Sequence, residues 1–155
     1  MTFDTGRAVA EFNMGRLKHD WTDKRVQDFV EGLERVNRLA ARSPGFIWRM
    51  PDDEMEAAQL GPPLSDHRVA STLSVWQSVE DLRTFTFKSL HGAFLRRGAE
   101  WFEESADPRY VLWPVDAAHR PSVQEGLTKL QHLAKHGASE SCFDFRWFDE
   151  TRGAA

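Results

Sequence analysis

The sequence predicts an α+β fold whose elements run β-α-β-β-α-β, followed by one more helix and one more strand. Three observations lead there. Short β-branched and aromatic stretches alternate with longer stretches that keep helical apolar spacing. Capping residues stand at the helix starts, and Gly or Pro separates the elements. The composition, 41% hydrophobic and 28% charged over 155 residues, is that of one globular domain large enough to bury a core.

Arg7 to Leu17 begins with near-alternation, Val9, Glu11 and Asn13 against Ala8, Ala10 and Phe12, and reads as the first strand. Asp23 caps a helix whose Val26, Phe29, Val30, Leu33, Val36 and Leu39 recur at helical spacing. Ser43-Pro44-Gly45 ends it, and Phe46 to Met50 is a short second strand. Pro51 to Asp66 is polar and acidic with three prolines, which reads as a loop insertion. His67 to Trp76 is a third, β-branched strand.

Ser78 and Asp81 form a variant capping box for the second helix. Its apolar set, Phe87, Leu90, His91, Phe94, Leu95, Trp101 and Phe102, runs past Gly92 and Gly98, where a bend or break is expected. Arg109 to Val115 is a fourth strand, and Pro114 places it at an edge or an ending. Ser122 with Glu125 opens a third helix that Gly137 closes. Phe143 to Phe148 alternates as a final strand. This order is that of a ferredoxin-like α+β sandwich with a C-terminal helix and strand extension, over a core of about residues 7–148. A sheet covered on one face by helices leaves the other bare, and a homodimer through that face is the simplest cover.

Charge and composition narrow the function. A net charge of −4 with interspersed signs provides no surface for nucleic-acid phosphates. No apolar run reaches the roughly 20 residues of a membrane span, and the N-terminus lacks a signal pattern, so a cytoplasmic protein is expected. Cys142 is the single cysteine and has no evident base nearby. Nucleotide-binding and hydrolase motifs are missing, so no nucleotide cofactor is expected. His132 and His136 lack an HExxH carboxylate and sit where a helix dipole favours them. Eleven Phe and six Trp stand against one Tyr, and six tryptophans exceed what packing requires, which points to a lined pocket or an interface.

The stretches SVWQSVEDLRTF (residues 74–85) and LRRGAEWF (95–102), with His91 between them, Arg42 to Arg49, and VLWPV (111–115) followed by HRPSV (119–123), carry a family resemblance. Together they resemble the bacterial domain of unknown function 3291, related to the antibiotic-biosynthesis-monooxygenase branch of the dimeric α/β barrels. The resemblance runs from Ala8 to about Phe148 and implies a single dimeric barrel domain. Its superfamily hosts oxygenases, haem proteins, isomerases, cyclases and non-catalytic binders.

In such barrels the helix bearing His91 borders a cavity between helices and sheet. There the imidazole is a base, a proton shuttle or an iron ligand, or else a core histidine bonded to a carbonyl. Asn13 joins His91 as a catalytic residue. Trp76, Phe87, Phe94, Trp101 and Trp48 contact the substrate, with Trp48 lining either the cavity or the dimer seam. Arg96 and Arg97 point about 100° apart on a helix, so one faces the cavity, assigned to Arg97, unless both are solvated ion pairs. Three readings follow. The first is a monooxygenase-like enzyme acting on an apolar or aromatic small molecule. The second is a haem-binding or haem-degrading protein with His91 on the iron, and the third a non-catalytic ligand-binding or interaction domain.

Overall fold

The computed structural model describes residues 7–62, 64–88 and 90–153, the side chains of Leu90 and His91 excepted. Four strands form one antiparallel sheet: β1 (Ala8–Arg16), β2 (Phe46–Arg49), β3 (Val69–Trp76) and β4 (Tyr110–Val115), in the order β2-β3-β1-β4. This is the ferredoxin-like arrangement expected from the element order. Pro114 sits on β4, an edge strand, where its missing N–H costs no ladder bond.

The alternation of β1 sorts its side chains between two layers. Val9, Glu11 and Asn13 face α1 (Gln27–Ala41) and α3 (Val79–Lys88). That layer buries Val36, Ala40, Leu82 and Phe85 against Val9, Trp76 and Leu112. Asp23 accepts from the Arg25 N–H and starts a 3-10 turn, Lys24–Val26, that leads into α1. Gly45, with φ at +83°, makes the turn from α1 into β2, a backbone that side chains disfavour. Ser78 caps α3 through the Asp81 N–H. Of the two expected breaks, the one at Gly98 is present, between α4 (Leu90–Arg96) and α5 (Gly98–Trp101), whereas Gly92 lies inside α4.

The 51–66 stretch is not simply a loop: it contains α2 (Asp52–Leu60). Its prolines flank the helix rather than interrupt it, with Pro51 at the cap and Pro62 beyond Gly61. Asp52, Asp53 and Glu54 suit the positive end of the helix dipole, and Met55 is buried against the sheet.

The sheet face expected to await a second copy is covered by this chain's own helices. Ala8, Ala10, Phe12, Leu73, Val75, Val111 and Trp113 pack against Val123, Leu130 and Leu133 of α6 (Val123–His136) and against Met55 of α2. Ser122 caps α6 through the Glu125 N–H. Gly126 brings α6 so close to β1 that a Cβ there would lie 2.6 Å from Phe12.

The expected C-terminal strand is α7 (Phe145–Gly153). The alternation of FDFRWF misleads because Phe145 and Phe148, both buried, are also three apart and share a helix face. Asp144 caps the helix by accepting the Trp147 N–H at 2.8 Å. Strand pairing survives only at Phe143, which exchanges two 2.8 Å backbone bonds with Leu112.

Candidate functional site

Strand register assembles the site from residues far apart in sequence. On β3, Trp76, Ser74 and Thr72 stand opposite Val9, Glu11 and Asn13; on β4, Leu112 and Tyr110 stand opposite Glu11 and Asn13. Paired residues share a face, so Glu11, Asn13, Thr72, Ser74 and Tyr110 form one polar patch beneath α1 and α3. A cavity of about 720 Å³ lies over this patch. Phe29, Trp76, Phe85, Phe94 and Trp101 are among its walls, and its lining continues past the sheet to Met55, Glu56, Gln59 and Leu60 of α2.

Glu11 is the centre of the patch. Asn13 Nδ2 donates to Glu11 Oε1 and to Thr72 Oγ1. The Ser74 and Thr72 hydroxyls donate to Glu11 Oε2 at 3.3 and 3.4 Å. Trp76 Nε1 donates to Ser74 Oγ at 3.0 Å, which leaves the serine proton free for the carboxylate. Burial pushes the Glu11 carboxyl up from 4.5 to about 7, against the lowering effect of its three side-chain donors. Two cations that line the cavity are engaged elsewhere. Arg49 pairs with Asp52 at 2.9 Å, and Arg109 donates to the Glu103 carbonyl. Among the described residues no salt bridge reaches Glu11. A carboxyl held near neutrality in an apolar chamber is equipped to take and return a proton.

Of the residues singled out from sequence, Asn13, Trp76, Phe87, Phe94 and Trp101 line the cavity. Phe87 stands at the rim, about half exposed, with its ring 5.3 Å from that of Phe145. Phe94 and Trp101 pack on each other and on Phe29. Arg97 does not line the cavity. Its guanidinium is bound by Glu100 at 2.8 Å and Asp28 at 3.0 Å and lies 4.8 Å from the Trp101 ring centroid, because these carboxylates are its nearest partners on the outer surface. Trp48 lies on the opposite sheet face with Arg120 stacked 5.7 Å above it, since a bulge between Phe46 and Trp48 shifts the alternation of β2. The backbone of His91 belongs to α4, and its side chain lies outside the described residues.

Sequence reasoning missed Glu11, Thr72, Ser74 and Tyr110. Only Glu11 left a signal, a carboxylate two residues from Asn13 on the face otherwise shared with apolar Val9. The haem reading rests on His91, whose side chain lies outside the described residues. Among the described residues the Asn13 amide is taken by Glu11 and Thr72, and Arg97 is held outside the cavity. No three His, Cys, Asp or Glu among the described residues gather as metal ligands.

Fold and site together define a ferredoxin-like α+β protein with a partly open, mostly apolar cavity floored by a buried carboxyl. The chain belongs to the family described as domain of unknown function 3291, whose model matches residues 8–154. No curated protein matches it. Among solved structures it resembles a protein of unknown function from Nitrosomonas europaea, at 13% identity and TM-score 0.50 over 77% of this chain and 99% of that one. It also resembles a conserved protein from Methanosarcina mazei Go1, at 12% identity and TM-score 0.49 over 72% and 94%. A third is SnoaB, a cofactor-independent oxygenase from Streptomyces nogalater, at 14% identity and TM-score 0.43 over 77% and 99%. Among the described residues no helix is long and apolar enough to cross a membrane.

Proposed function

We propose that this protein binds an apolar, aromatic small molecule and removes a proton from it with Glu11 as general base, opening a monooxygenase-like reaction that uses no nucleotide cofactor. The observation that carries the reading is the buried carboxyl of Glu11, poised at about 7 and facing a cavity with largely aromatic walls. A base matched to neutral pH is the most effective proton acceptor there. Desolvation, which raises its basicity, is supplied by the same walls. Asn13 and Ser74 hold the carboxylate and act as positioning residues. When the resulting carbanion is electron-rich it reduces dioxygen itself. A CH2 and O2 then become a carbonyl and water, with both electron pairs drawn from the substrate.

This reading makes Asn13 a positioning residue for Glu11 rather than a catalytic residue beside His91, and it draws no support from haem. The single buried cysteine suits a reducing, cytoplasmic setting. A homodimer has lost its first argument, since α6 and α2 cover the face assigned to it.

The test uses 5-nitrobenzisoxazole, a chromogenic aromatic carbon acid that opens when a base removes its C–H. The expected rate rises with pH to a plateau with its midpoint near 7 and falls at least about a hundredfold in Glu11→Gln. A Gln variant as fast as the wild type sinks the base assignment. Saturable binding with no rate above buffer favours the ligand-binding reading instead. His91→Ala belongs in the same series, where loss of rate at unchanged binding assigns His91 a share in moving the proton.

A further inference from the structure

Tyr110, the chain's only tyrosine, extends the site. It stands opposite Asn13 on β4 and therefore diagonal to Glu11 on the same sheet face. Diagonal cross-strand neighbours lie roughly 7–8 Å apart, close enough for two side-chain heads to engage adjacent atoms of one small molecule. Tyr110 and Phe145 both line the cavity. The Tyr110 hydroxyl oxygen accepts the Phe145 N–H at 3.0 Å, and among the described residues its own hydrogen has no acceptor. A half-buried hydroxyl fixed through its oxygen, with its hydrogen unused, is a donor waiting for an acceptor. Burial pushes the phenol up to about 12, so it stays protonated and can donate at any neutral pH.

The charges on the walls limit what can bind. Among the described residues no cation is paired with Glu11, so an anionic group placed against that carboxyl would meet like charge as it ionises. We propose that the ligand is an uncharged, largely apolar carbonyl compound with an acidic C–H next to its carbonyl, bound with that C–H at Glu11 and its carbonyl oxygen at the Tyr110 hydroxyl. The proposal rests on the reading of Glu11 as base. In the step it describes, Glu11 takes the proton, the C–H electron pair moves onto the carbonyl oxygen, and the enolate formed accepts a hydrogen bond from Tyr110. Return of the proton to carbon restores both partners.

Two ligands of nearly one shape separate the elements of the proposal: 2-tetralone, which has the carbonyl, and tetralin, which lacks it. Binding is followed by titration calorimetry, and deuterium exchange next to the tetralone carbonyl by NMR. In Tyr110→Phe the Kd for 2-tetralone is expected to rise about tenfold, the worth of one lost neutral hydrogen bond, while the Kd for tetralin stays unchanged. An unchanged tetralone Kd overturns the proposal. So does an equal loss for both ligands, which would mark a deformed cavity. Wild-type protein that binds neither ligand overturns it as well. In Glu11→Gln, tetralone binding is expected to survive while exchange is lost. Exchange that persists there refutes the base, whereas the Tyr110 arm reports on the donor alone.

Discussion

Glu11 shows how one residue couples chemistry to stability. Its carboxyl meets three side-chain donors and still rises to about 7, because the removal of water costs more than those bonds return. The neutral form is therefore favoured in the folded state relative to the unfolded chain, where the ordinary value of 4.5 applies. Below 4.5 this group leaves stability intact. As the pH climbs toward 7 the native state holds more protons than the unfolded one, and stability falls by roughly 3 kcal/mol at most across that window. Glu11→Gln keeps the shape without the charge. It is expected to unfold at higher urea than the wild type at about pH 8 and to lose this dependence between 4.5 and 7. Matching urea midpoints for the two proteins at the higher pH would contradict the burial argument. The residue left a trace in sequence, as a carboxylate on the inward-facing set of a buried strand. Its partners did not, because Thr72 and Ser74 are 61 and 63 positions away and only the β1–β3 register brings them to it.

At the level of elements, the parts legible in sequence were those where several local signals agree. β1, α1, β3, α3 and α6 have caps, periodicity and boundaries that all point one way. α2 and α7 were misread because a single signal dominated: three prolines in one case, a six-residue alternation in the other. In both, the deciding contributions are flanking ones, the acidic first turn after Pro51 and the Asp144 cap. The docking of α6 was not legible either. Gly126 carries it, since its missing side chain lets the helix backbone reach Phe12. Gly126→Val puts two methyls into that contact, and the expected cost is about 2 kcal/mol, read as a lower urea midpoint with an unchanged slope. An unaffected midpoint would mean that α6 can slide away from the sheet at little cost. The site shares this division: Asn13, Trp76, Phe94 and Trp101 were recognisable as aromatic or polar punctuation in apolar elements. The outward turn of Arg97 depends on Asp28, a residue one helix and 69 positions away.

For the whole molecule, two layers of helices enclose one sheet, and both faces are satisfied within a single chain. The aromatic excess is divided between them, with Trp113 and Phe12 under α6 and Trp76, Phe85 and Phe29 around the cavity. A second copy has no bare sheet face left to cover. The protein is expected to elute from a sizing column at its monomer mass of 17.8 kDa, and a stable dimer would show that a different surface joins two copies.

The cover supplied by α6 has a consequence for how the protein behaves on dilution. A cavity whose supporting sheet is backed by a neighbour exists only while the neighbour is bound, so its stability depends on concentration. Here the backing is tethered through the short Asp116–Ser122 connection, and its effective concentration is set by the chain itself. The pocket is then as complete at nanomolar protein as at millimolar. A ligand that binds there is expected to follow a hyperbolic curve whose midpoint does not move with protein concentration.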